Sequence, residues 1–150
     1  MISFLKAWIA RDTHRLIILF SLLLAFVFPG FLYSQPHPVP QGAKCAECGM
    51  SVDQSSRFAS EVTTKDAKNL VFCDIGDMLI HFRSSREKAK EIYVRDYTTG
   101  AWIDGRKAHY VFNKKITTPM SWGIAAFQEE SSAKQWGSPV DFDHAFTLLK

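Results

Sequence analysis

A chain of 150 residues holds one modest domain, or two very small ones, once any targeting segment is set aside. With 47% hydrophobic and 22% charged residues, its composition is that of a folded protein and excludes wholesale disorder. The net charge of +3 includes Lys6, Arg11 and Arg15 at the amino terminus, the remainder is close to neutral, and no basic stripe with interleaved aromatics points to nucleic acid.

Those three basic residues precede an apolar run, LIILFSLLLAFVFPGFLY at 16–33, interrupted only by Pro29 and Gly30. Basic flanks stay on the cytoplasmic side, so the rest of the chain is expected to be exported, to the periplasm or the extracytoplasmic face of the inner membrane. The part before Pro29 suits a signal-peptide h-region, with a cleavage site at Leu32-Tyr33-Ser34. The whole run also reaches the length that crosses a bilayer, so residues 1–34 are read as a signal peptide or a retained membrane anchor. The first cysteine is Cys45, too late for a lipoprotein modification. QPHPVPQGAK at 35–44 reads as an extended linker, with the folded domain spanning 45–150.

In the folded part, FASEVTT at 58–64 alternates, and after the turn KDAKN the run LVFC at 70–73 is continuously apolar, which predicts a hairpin. Asp74 offers an N-cap, Asp77 stands three residues on as in a capping box, and Ile75, Met78, Leu79 and Phe82 follow helical spacing. A helix over 75–89 is expected, then a strand over EIYVRDY at 91–97. A weaker copy follows: strands at 108–112 and 123–127, a short helix at 129–136 and a closing strand, SPVDF, at 138–142. The predicted fold is α+β, two small related ββαβ units packed together, one at about 58–97 and the other at about 101–150. Each alone buries too little apolar surface to be stable.

The chemistry centres on KCAECGMS at 44–51. Three cysteines in an exported chain leave at least one thiol for something other than a disulfide. A thioredoxin-like pair needs its second cysteine in a helix, but Gly49 follows Cys48 at once and no helical pattern runs through SVDQSS. A structural zinc site wants four ligands, and lacking a second close pair it would recruit Cys73 with His81, His109 or His144. A soft-metal loop uses Met50 as well, because thiolate and thioether sulfurs select Cu(I). Gly49 can turn the chain so that the sulfurs of Cys48 and Met50 face one site.

Met120, in TTPMSWG, is either a third sulfur or packing between the units. Cys73, at a strand end just before a helix, is either a stabilised thiolate or a buried inert thiol. Met78 belongs to the helix's apolar face, His81 is expected to face solvent, and Asp74 and Asp77 are accounted for by capping. No catalytic triad, carboxylate pair or phosphate loop asks for an enzyme.

CAECGM at 45–50, FCD at 72–74, YVRDYTTGAWID at 93–104, AHYV at 108–111, TPM at 118–120 and AFQ at 126–128 resemble, in order, the NosL family of nitrous oxide reductase accessory proteins. The resemblance implies a Cu(I)-binding metallochaperone serving copper-site assembly in nitrous oxide reductase, or serving another copper enzyme. It also implies an ABC-type transporter and its periplasmic protein as partners, and a fold of two ββαβ units. Carried over by position, the ligands are Cys48 and Met50 with Met120 as the third, and Cys45 matches the motif's first cysteine. Many members carry a lipoprotein cysteine after the signal, and this chain does not. Three alternatives stay open: a thiol-disulfide oxidoreductase using Cys45 and Cys48, a structural zinc module, and a stabilising disulfide of Cys45 with Cys48 or Cys73.

Overall fold

A computed structural model describes residues 36–83 and 89–149. The expected export segment and residues 84–88 lie outside the described residues. The hairpin forms as expected, with β1 (Ser60–Thr64) and β2 (Asn69–Phe72) antiparallel and Ser60 opposite Phe72. Helix α1 (Ile75–Phe82) follows, its N-cap Asp74 accepting from the Gly76 amide. Strand β3 (Ala89–Arg95) returns along the other edge of β1. The helix is therefore shorter than the predicted 75–89: it closes at Arg83, and Ala89 is already strand.

Strand β4 (Trp102–Asp104), which the sequence pattern did not suggest, pairs with β3 and completes a sheet of order β2-β1-β3-β4. The second half begins as expected, with β5 (His109–Phe112) and β6 (Ile124–Phe127) antiparallel and then helix α2 (Glu130–Lys134). The predicted closing strand at 138–142 is not there. Only one bridge forms, Tyr110 with Val140, and Phe142 opens a further helix, α3 (Phe142–Leu148). The Asp141 side chain caps it by accepting from the His144 amide, and Phe142, Ala145 and Phe146 sit at helical spacing with all three buried. Those signals outweigh the alternation in SPVDF. No helix among the described residues is long and apolar enough to cross a membrane.

Both faces of the β5–β6 hairpin are covered, which is why GIAAF is apolar without alternation. Tyr110, Ile124 and Ala126 join the main core with Phe72, Ile75, Leu79 and Phe142. Val111, Ala125 and Phe127 face the other way, onto Ile116 and Ala133. The polar face of β1 is covered too. His37 and Val39, from the stretch read as a linker, lie against the domain: Val39 is buried, its carbonyl accepts from Gln54 Nε2 at 2.6 Å, and His37 Nδ1 meets Glu61 Oε1 at 2.7 Å. Glu61 is left only 1% exposed.

Asp96 joins the two sheets. It bridges to Ala126, and its carboxylate accepts from the amides of Gln128 at 2.7 Å and Thr99 at 2.6 Å. Burial acts to raise the Asp96 pKa, but these amide donors outweigh it and hold the carboxyl below its ordinary value. A carboxyl with a depressed folded pKa contributes stability above its unfolded pKa of about 3.9, and that contribution is lost as pH falls through the folded pKa. Asp96→Asn is expected to cost about 1.5–3 kcal/mol in urea unfolding near pH 6. The variant should also lose less stability than the parent on acidification from about pH 5 downward, since only the parent loses this contribution.

Candidate metal centre

The loop at 45–50 is closed on itself. The Cys45 amide donates to the Met50 carbonyl at 2.7 Å and the Gly49 amide to the Cys45 carbonyl at 2.9 Å. Gly49 makes the reversal with φ +76°, the left-handed conformation the sequence pattern asked of it. The Ala46 amide donates to the Val71 carbonyl at 2.9 Å, which fixes the loop beside the end of β2. Cys73 follows β2 directly, and Asp77 lies in the first turn of α1.

Three thiols and a carboxylate converge here: Sγ of Cys45, Cys48 and Cys73 and an oxygen of Asp77 all lie within 4.8 Å of one another. Cys48 Sγ touches Cys73 Sγ at 3.5 Å, and the Cys45 thiol donates to Asp77 Oδ2 at 3.4 Å. Cys45, Cys73 and Asp77 are buried, whereas Cys48 is half-buried. All three cysteines are free.

Burial raises the pKa of Cys48, only partly offset by the Met50 amide. Burial also pushes the Cys73 thiol far up, reinforced by its contact with Cys48 and by Cys45. The direction of the shift favours the buried-thiol alternative for Cys73 over the stabilised thiolate.

Asp77 corrects the sequence reading. Its carboxylate is not the partner of a capping box: Oδ1 accepts from Trp122 Nε1 at 2.9 Å, while Oδ2 faces the thiols of Cys45 and Cys73. The other carboxylate, Asp74, caps the helix as predicted and also accepts from the Met120 amide at 2.9 Å through Oδ2. The loop carrying Met120 and Trp122 is thus fastened to the start of α1 at two points. Met120 itself is half-buried against the main core, Met50 is 49% exposed, and Met78 is core.

No histidine belongs to the cluster among the described residues. His81 is not simply solvated: its ring lies tilted against that of Phe72, with centroids 5.2 Å apart, and Nδ1 meets Glu47 Oε2 at 2.8 Å. His144 pairs with Asp141, its own helix cap, at 2.8 Å, and His109 sits in β5.

The sequence profile of the NosL family matches residues 36–140. The chain belongs to the NosL family. Among solved structures it is similar to the crystal structure of the copper chaperone NosL from Shewanella denitrificans, with a TM-score of 0.65 and 24% identity over 73% of this chain and 93% of that one. At that identity the likeness bears on the fold, which is mixed helix and strand with antiparallel sheets in this NosL-family chain. No curated protein sequence matches it.

Asp77 and Trp122 are the site residues that sequence reasoning missed in this NosL-family chain. The closeness of Asp77 to Cys73, four residues apart across the predicted helix start, was available as a signal for the first. Nothing local marks Trp122, whose partner lies 45 residues away.

A Cβ at Gly76 would lie 2.2 Å from Trp122 Cγ, so the indole is seated on a position where only glycine fits. Trp122→Phe retains most of the ring and removes the donor to Asp77, and is expected to lower stability by about 1–3 kcal/mol in urea unfolding. Gly76→Ala should lower it by a similar amount, about 1–3 kcal/mol, through overpacking, with the Trp122 fluorescence environment altered in the folded state.

Proposed function

We propose that this NosL-family chain is an exported metallochaperone that binds Cu(I) and delivers it for copper-site assembly in nitrous oxide reductase. The observation that carries this reading is the convergence of three thiol sulfurs on one spot, with the most accessible of them, Cys48, followed by a left-handed Gly49 and an exposed Met50. Soft sulfur ligands select Cu(I) over harder ions, and the donor set fits that cargo. The similar solved structure is that of a copper chaperone, which supports the same cargo here. Export rests on the basic residues and apolar run at 1–34, and the N-terminal segment either is removed or anchors the chain at the extracytoplasmic face.

The ligands in this reading are Cys48 and Met50, with Met120 as the third sulfur and Cys45 and Cys73 as neighbouring thiols. The role is binding and transfer, not catalysis: copper passes by ligand exchange to nitrous oxide reductase or another copper enzyme, with an ABC-type assembly complex as the working partner. The reading of Cys45 and Cys48 as an oxidoreductase pair loses support, because their loop is a turn with no helix through Cys48. One specific observation favours a second reading, a zinc module: Asp77 supplies the fourth ligand that no histidine offers.

Anaerobic titration of the reduced full-length chain with Cu(I), against a colorimetric Cu(I) chelator, tests the assignment. Stoichiometric Cu(I) is expected. Cys48→Ser should weaken it by about 100-fold and Met50→Leu and Met120→Leu by about 10-fold each, corresponding to roughly 1.4 kcal/mol per tenfold. Unchanged affinity in Cys48→Ser and Met50→Leu would remove those residues from the site. Tight zinc binding that depends on Asp77 and ignores Met50 would select the second reading.

A further inference from the structure

The three thiols of the cluster are not equivalent. The thiols of Cys45 and Cys73 both face Asp77 Oδ2, at 3.4 and 3.7 Å, and Cys73 also touches Cys48, sulfur to sulfur, at 3.5 Å. Cys48 is half-buried and reachable from solvent, and Cys73 lies behind it at 3% exposure. They come from separate elements, the 45–50 loop and the β2–α1 junction, which the backbone bond from Ala46 to Val71 already holds together. Closing an S–S bond of about 2.05 Å between them requires an approach of about 1.5 Å.

We propose that Cys48 and Cys73 form a thiol–disulfide exchange pair that takes small or protein disulfides as its oxidant, and that the resulting cross-link and a bound metal exclude each other. The Cys48 sulfur, as thiolate, attacks one sulfur of the incoming disulfide. That S–S bond breaks, one thiolate leaves, and a mixed disulfide remains on Cys48. Cys73 gives its proton to solvent and attacks the Cys48 sulfur, expelling the second thiolate. In sum, two protein thiols and one external disulfide become one protein disulfide and two external thiols.

Position assigns the order of events. Cys48 attacks because it is the accessible sulfur, and Cys73 resolves because its sulfur is already in contact with that of Cys48 at 3.5 Å. The exclusion of metal rests on the reading of Cys48 as a Cu(I) ligand, because the cross-link consumes its lone thiolate.

The test uses the reduced full-length chain incubated with oxidised glutathione, then alkylated and cleaved after Glu47 so that Cys45 and Cys48 fall on different peptides. The Cys48 peptide is expected linked to the Cys73 peptide, with Cys45 alkylated. Cys45→Ser should form the same link. Cys73→Ser should stop at a glutathione adduct on Cys48, a readout that needs no intact cross-link. A Cys45–Cys48 link, or three alkylated cysteines in the folded chain after prolonged incubation, overturns the pair.

The oxidised chain is expected to bind Cu(I) at least about 10-fold more weakly, with recovery on reduction, and Cu(I) loaded beforehand should protect all the cluster's thiols from glutathione. Full Cu(I) binding by the cross-linked chain overturns the exclusion and leaves the pair standing. A reduced chain that takes no Cu(I) yet forms the cross-link overturns the exclusion together with the copper reading, and supports the exchange chemistry by itself.

Discussion

The carboxylate of Asp77, 3% exposed, is the constraint on which the site depends. A carboxylate withdrawn from water needs hydrogen-bond donors, and this one finds them in three different segments. One oxygen faces the thiols of Cys45 and Cys73, and the other accepts from the indole of Trp122. The cysteine loop, the start of α1 and the loop through Met120 are therefore tied to one group. Asp74, three residues earlier, repeats the arrangement by capping the helix and holding the Met120 amide. The helix start is thus a junction for the site, with Asp74 and Asp77 each holding part of the loop at 120–122.

Much of the fold was legible because it is local. The β1–β2 hairpin and the start of α1 follow from alternation, turn residues and a cap within a few positions of one another, and the β5–β6 hairpin and α2 from short apolar and polar runs. The end of α1 at Arg83 and the strand at Trp102 were not, because no strong stop or alternation marks them. The last segment was misread for a different reason. SPVDF carries both a strand pattern and the Asp141 cap of a helix, and the following Ala145 and Phe146, which decide between them by burial, lie beyond the window in which the alternation was seen.

The candidate site divides along the same line. Cys45, Cys48 and Met50 announce themselves by spacing, and the six motifs together gave the family. The approach of Cys73 to Cys48 spans 25 residues of sequence and the Trp122–Asp77 bond spans 45, so only the folded chain displays them. Asp77 was hidden differently: a capping role accounted for it locally, and a sufficient local explanation conceals a long-range one. Glu61 is the converse case. It reads as the solvent side of an amphipathic strand and is buried where His37, from a stretch that reads as a linker, lies over it.

Met50 is half exposed in an otherwise well-covered cluster, and this has a thermodynamic consequence for whatever docks there. A methionine side chain gains about 1.5–3 kcal/mol on full burial, and roughly half of that is still ungained at Met50 in the free protein. A surface that covers the loop collects this contribution on contact, about 1 kcal/mol or a factor of five in affinity, from the same side chain whose sulfur is proposed to hold the cargo. On the proposed reading, recognition of a recipient and the grip on the metal are coupled in one flexible thioether, so that docking would act on a ligand.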